Sequence, residues 1–142
     1  QKKIKCVELG AGVGMVGLYL AGMPNGPRVV LTDVPEVMGI LEQNLALNPQ
    51  VCGLLVNPLV GRASCRSLSW GTDDWRQGDF CDCDLVVLAD CVYWEELFDA
   101  LVDTLAGLVS TGARVLMAHV RRWKRDKKFF RLCAKKMDVR KV

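Results

Sequence analysis

Residues 7–18 read VELGAGVGMVGL, an apolar strand-like run carrying one acid, Glu8, that breaks into glycines at Gly10, Gly12, Gly14 and Gly17. Glycines after a strand let the backbone turn tightly and pass close to a ligand. They also leave the amide N–H groups at the start of the next helix pointing toward it. The stretch predicts a strand over 4–9, a glycine loop and a helix from Met15 to Ala21.

Outward from it the same alternation continues. RVVLTD (28–33) is a second strand, and Asp33 is positioned to cap a helix whose first turn holds Pro35 and Glu36. Val37, Ile40, Leu41 and Leu45 recur at helical spacing until Asn48-Pro49 stops them. Residues 49–61 read as loop, RASCRSL (62–68) as a third strand and 69–83 as polar turns. DLVVLAD (84–90) is apolar enough to be buried on both faces of a parallel sheet. Leu97, Leu101, Leu105 and Leu108 mark an amphipathic helix, and ARVLMAHV (113–120) reads as another buried strand. A last helix follows over 125–137, with Phe130, Cys133, Ala134 and Met137 inward. VRKV (139–142) reads as the start of a further strand. This order predicts an α/β fold, a Rossmann-like, doubly wound and mostly parallel sheet with right-handed crossovers. Ligands of such sheets sit at the carboxyl ends of the strands, where strand order reverses.

Composition narrows the class. At 142 residues the chain is one domain's length by the usual figure of about 150. With 51% apolar and 25% charged residues it is globular in composition. No apolar run approaches the ~20 residues of a membrane span, and the opening QKKIKCVELG has no signal-peptide pattern. The seven cysteines include no C-x-x-C pair, and His119 is the only histidine. Structural zinc spacings are therefore absent and no metal is expected. The Cys81-x-Cys83 pair reads as solvated loop and the other thiols as reduced and mostly buried, as in a cytoplasmic or nuclear protein. Residues 1–120 carry 8 basic and 14 acidic side chains, whereas 121–142 carry 11 and 2. That basic block reads first as the solvated face of the last helix. A dock for an acidic protein and a nucleic-acid surface are the alternatives.

Chemistry gathers at three strand ends: Glu8 with Gly10, Ala11 and Gly12; Asp33; and Asp90 with Tyr93. Gly12, Gly14 and Gly17 satisfy G-x-G-x-x-G, and Asp33 follows about 20 residues on, where an acid can accept both ribose hydroxyls. A dinucleotide fits poorly, because Gly10 already follows the strand and Glu8 would face a charged pyrophosphate. A zwitterionic, phosphate-free cofactor such as S-adenosyl-L-methionine suits the mixture of carboxylates and amides better. No G-x-S-x-G elbow accompanies His119, so a hydrolase reading is poor.

VELGAGVGMVGL, LTDVPEVMGILEQNLALN, SLSWG, DLVVLADCVYWEELFDALVDTL and HVRRWKRDKKFFRL together resemble successive motifs of the class I, seven-β-strand methyltransferases. More narrowly they resemble the protein-lysine methyltransferases with a D-x-x-Y motif, along essentially the whole chain. The resemblance implies that Gly10, Ala11 and Gly12 line the methionine end of S-adenosyl-L-methionine, with Glu8 near its amine. It implies Asp33 on the ribose, Trp70 beside the adenine, Ala89 in backbone contact, and Asp90 and Tyr93 at the mouth of a lysine channel. The expected partner is a folded protein substrate of chaperone or elongation-factor type, acted on by a monomer. Nucleic acid is disfavoured because Asp-Cys-Val-Tyr stands where base-amino methyltransferases have an Asn/Asp-Pro-Pro-aromatic signature. A non-catalytic scaffold and a nucleic-acid or small-molecule methyltransferase are the rival functions.

Structural alternatives stand beside each assignment: Asp33 as helix cap only, Asp90 as a cap, Tyr93 as a core aromatic, Trp70 and Trp75 as loop anchors, His119 as a satisfied edge residue. Against the family pattern, residues 1–142 are expected to be one partial methyltransferase domain. Truncation at both ends would omit an N-terminal cover and the last strands. A sheet edge would then be left open.

Overall fold

The computed structural model describes residues 3–52 and 62–142. The strands are β1 (Lys5–Leu9), β2 (Arg28–Asp33), β3 (Ala63–Ser67), β4 (Leu85–Ala89) and β5 (Arg114–Ala118). They form one parallel sheet in the order β3-β2-β1-β4-β5. The chain winds outward from β1 through β2 to β3, then returns to the other side of β1 for β4 and β5. Order reverses between β1 and β4, which places the crevice of a doubly wound sheet at their carboxyl ends.

Side-chain alternation distributes two cores. Val7, Leu9, Val86 and Leu88 pack with α4 (Phe98–Ser110) and α5 (Asp126–Lys136) on one face. Cys6, Val29, Leu31 and Val87 pack on the other with α1 (Met15–Gly22), α2 (Met38–Ala46) and the short α3 (Pro49–Cys52). Phe98 and Phe129 meet edge to face at 5.5 Å and join α4 to α5, a geometry worth about 1 kcal/mol beyond the area it buries.

The polar turns after β3 dock on a stripe of small residues along α4, at the i, i+4, i+7 spacing that shares one helix face. Gly71 lies against Ala100, its N–H donates to Thr104 Oγ1 at 2.9 Å, and the Trp75 ring lies against Gly107. Trp75 is thus the loop anchor expected of it, 8% exposed. A Cβ at Gly107 would lie 2.5 Å from Trp75 Cζ2. Gly107→Ala gains about 1 kcal/mol of helix propensity, against an overpacking cost of about 1–3 kcal/mol. We expect a net loss of stability in urea denaturation; a rise would show that the ring moves aside freely.

Several local expectations are corrected. Asp33 does not cap a helix: α2 begins at Met38 after a turn, and the Asp33 carboxylate is bonded elsewhere. Residues 49–52 are helical, with Pro49 in the first position that lacks no needed donor; 53–61 lie outside the described residues. β5 is not buried on both faces. As the edge strand it packs Val115 and Met117 toward α4 and α5 but leaves Leu116 58% exposed. On α5 the inward residues are Phe129 and Cys133, with Phe130 and Met137 partly covered, while Ala134 is exposed. Residues 139–142 form no strand.

Candidate active site

Backbone and side-chain bonds lace the strand ends together. The Ala11 N–H donates to the Thr32 carbonyl at 2.9 Å, and Thr32 Oγ1 donates to the Glu8 carbonyl at 2.6 Å. Asp33 Oδ2 accepts the Gly12 N–H at 2.7 Å and Oδ1 accepts that of Val34 at 2.8 Å. The acid predicted for a ribose is therefore aimed by two amides, one from the glycine loop itself. Gly10, Gly12 and Gly14 all have positive φ, at 62°, 55° and 80°, a region where other residues are strained.

Each of these glycines faces different surroundings. A Cβ at Gly10 would lie 2.9 Å from Cys91 Sγ and 3.0 Å from Trp70 Cζ2, so Trp70 rests on the glycine loop. A Cβ at Gly12 would meet nothing within 4 Å. That open flank is where the backbone is free to receive a ligand.

Glu8 is 3% exposed in the central strand, beside Leu31 and Val87. Its Oε2 accepts the Gly17 N–H at 2.9 Å, satisfying one orphan amide of the first turn of α1 from within. Burial pushes its carboxyl up to about 7, against the pull of the Gly17 N–H and with help from Asp33.

Ala89 ends β4, and its carbonyl accepts the Cys91 thiol at 3.5 Å. Asp90 turns the chain out of the strand at φ 59°, left-handed, with its N–H on the Ala118 carbonyl at 2.9 Å. Asp tolerates this region better than most residues, and strain of this kind collects at functional sites. The Asp90 side chain is about half exposed and accepts Arg122 Nη2 at 2.7 Å. Neither Asp90 nor Tyr93 takes its alternative role: α4 and the turn before it are preceded by Leu97 and Trp94, and Tyr93 is 41% exposed. Burial, then Cys91, Asp33 and Asp90, raise the Tyr93 hydroxyl above its ordinary range, so it shares a field with both strand-end acids.

The predicted residues thus converge on the crevice from β1, β2, β4 and the loop after β3. Sequence reading missed what holds its far wall. Asp126, 1% exposed, accepts the N–H groups of Arg122 and Trp123 at 2.9 and 3.2 Å and pairs with His119 Nε2 at 3.2 Å. Burial raises its carboxyl, but those donors bring it below the usual range. His119 is half satisfied, since Nδ1 is buried with no partner among the described residues. A signal for Asp126 did exist, as the sole acid between 121 and 137. Arg122, 32 residues from Asp90, left none.

A family model described as lysine methyltransferase matches residues 1–136. The chain belongs to the lysine methyltransferase family. Among its relatives is the mouse protein N-lysine methyltransferase METTL21A, 33% identical over 138 residues, covering 96% of this chain and 58% of that one. The protein-lysine N-methyltransferase EFM6 of Saccharomyces cerevisiae is 32% identical over 154 residues, covering 97% and 58%. The EEF1A lysine methyltransferase 3 of Xenopus tropicalis is 31% identical over 120 residues, covering 80% and 46%. The chain therefore spans about 58% of the length of the first two. Among solved structures, the precorrin-6y C5,15-methyltransferase of Geobacter metallireducens superposes with a TM-score of 0.66 at 12% identity, covering 96% of this chain and 63% of that one. At that identity the likeness shows the fold, that of a class I methyltransferase.

This lysine methyltransferase family uses S-adenosyl-L-methionine, and the residues present fit it. A carboxylate held in apolar surroundings at Glu8 gains from a cationic group, Gly12 leaves space beside the backbone, and Asp33 presents two aligned oxygens. No group of three or more His, Cys, Asp or Glu suited to a metal occurs among the described residues, and Cys6, Cys65, Cys81, Cys83, Cys91 and Cys133 are free thiols. No described helix is long and apolar enough to cross a membrane.

Proposed function

We propose that residues 1–142 are a methyltransferase domain that transfers methyl groups from S-adenosyl-L-methionine to a lysine of a folded protein, of chaperone or translation-factor type, in the cytoplasm as a monomer. The observation that carries this reading is the placing of the Asp90–Tyr93 pair at the same crevice as Glu8, the glycine loop and Asp33. When bound, the cofactor supplies a methyl group already activated by sulfonium charge. The chain is left to align and deprotonate an amine. A free lysine has a pKa of about 10.4 and attacks only as the neutral amine. Partial burial beside a positive charge lowers that value. The half-exposed Asp90 carboxylate accepts a hydrogen bond from the incoming amine and orients its lone pair while the proton leaves to solvent. Tyr93 lends an aromatic face and a hydroxyl to the alkyl ammonium.

Two measurements test this. Incubation with labelled methyl donor and cell extract is expected to label lysine in one or a few protein bands; label confined to RNA or small molecules overturns the reading, and so does none at all despite cofactor binding. Calorimetry of Asp33→Ala is expected to show cofactor affinity about a hundredfold weaker, from the loss of two hydrogen bonds to a charged acceptor. Unchanged affinity would remove Asp33 from the site.

A further inference from the structure

The cations of the basic block differ in what they face. On α5, Lys128 pairs with Glu95 at 2.6 Å and Lys136 with Asp103, while Arg140 pairs with Asp138 at 2.8 Å. Arg121, Lys124 and Lys127 have no carboxylate partner among the described residues, and with Arg122 and Trp123 they line one cleft of about 480 Å³. Trp123 is 55% exposed. The cleft is continuous with the Asp90–Tyr93 segment. Arg122 reaches Asp90, and Arg125, stacked 5.3 Å from the Trp123 ring centroid, donates to the Tyr93 carbonyl at 3.2 Å. Asp126 pins the backbone between them through Arg122 and Trp123, so these side chains splay outward.

Resting on the lysine-methyltransferase reading, we propose that this cleft docks an acidic segment of the protein substrate next to the target lysine, and that Arg122 exchanges Asp90 for a substrate carboxylate as the lysine arrives. Asp90 is engaged by a guanidinium that stands where the substrate ammonium would. A substrate carboxylate in the cleft draws Arg122 away and frees Asp90, so docking and alignment are one event. An acidic peptide suits the cleft better than a nucleic acid. Of the cations without a carboxylate partner among the described residues, Arg121, Lys124 and Lys127 gather in the cleft, whereas Arg131, Lys135 and Lys141 lie outside it. The cleft adjoins Asp90 through Arg122, where the substrate lysine arrives on the lysine-methyltransferase reading, so the anion that docks beside it belongs to the same protein chain as that lysine.

Three probes of equal length test it on the full chain with saturating cofactor: a labelled peptide whose lysine is flanked by Asp and Glu, one flanked by Ser and Gly, and an oligouridylate. Fluorescence anisotropy at low salt is expected to show the acidic peptide bound about tenfold tighter than the neutral one, a difference that high salt removes. Arg121→Glu with Lys124→Glu abolishes the preference, whereas Lys135→Glu with Lys141→Glu, the same charge change outside the cleft, keeps it. Arg122→Ala weakens the acidic peptide and tightens the neutral one. Equal affinities, equal loss in both double variants, or tighter binding of the oligouridylate overturns the dock; weakening of both peptides by Arg122→Ala overturns the exchange. Methyl transfer is read separately. Acidic preference without transfer to either peptide refutes the transferase reading and keeps the dock, while transfer to both at equal affinity does the reverse.

Discussion

Glu8→Gln is expected to make the cofactor-free protein about 3 kcal/mol more stable at pH 8, and to flatten its stability between pH 4.5 and 7. Burial holds the native carboxyl at about 7, against an ordinary value of 4.5, so within that window the folded chain holds a proton that the unfolded chain has lost. Stability contributed by this group is complete below about 4.5 and is lost as pH rises through 7. Glutamine keeps an acceptor for the Gly17 N–H and carries no charge to desolvate. Asp126, depressed in the fold by its hydrogen-bond donors, acts at lower pH. Urea denaturation at pH 5, 6, 7 and 8 measures the effect; parallel curves for the two proteins would refute it. The gain has a functional counterpart. A cationic amine beside Glu8 would restore its charge, so wild-type binding at pH 6 should release a proton, seen by calorimetry in two buffers of different ionisation enthalpy. Glu8→Gln should release none and bind more weakly.

That an acid costly to the fold stands in the central strand explains why β1 was so legible. A strand-ending carboxylate followed by glycines has few structural rationales, and the glycines adopt the positive φ that the pattern anticipates. Asp33 was misread locally for the opposite reason. Asp followed by Pro and Glu imitates a helix start, but the Gly12 amide, 21 residues away, competes for the same carboxylate. Periodicity found α5 and put Cys133 inward, but took Phe130 and not Phe129 for the buried ring, because the two are adjacent and packing against Phe98 selects Phe129. The apolar run of β5 gave no sign that one of its faces is open. Whether a helix covers a given face of a strand is decided by topology and is not written in the strand's own composition. The Arg122–Asp90 pair is likewise a product of topology, since β5 must first lie beside β4.

Asp90 carries the second large effect, and its backbone dictates how to measure it. Asp90→Ala would place a residue that disfavours left-handed φ at 59°, which costs about 1–2 kcal/mol of stability for reasons unrelated to catalysis. Asp90→Asn keeps a side chain that tolerates this region and an oxygen that accepts a hydrogen bond, so it isolates the charge. Methyl transfer to a lysine peptide is expected to fall about a hundredfold in Asp90→Asn and further in Asp90→Ala, with cofactor affinity unchanged in both. Arg122→Ala removes the same ion pair from the other side and leaves the carboxylate in place. If Asp90 serves only to clamp Arg122, the two losses will match. If it orients the amine, Asp90→Asn will be crippled while Arg122→Ala transfers to a neutral-context lysine at least as fast as wild type. A matching loss would return Asp90 to a structural role, leaving the Tyr93 hydroxyl as the polar side-chain group of the pair available to the amine at that strand end.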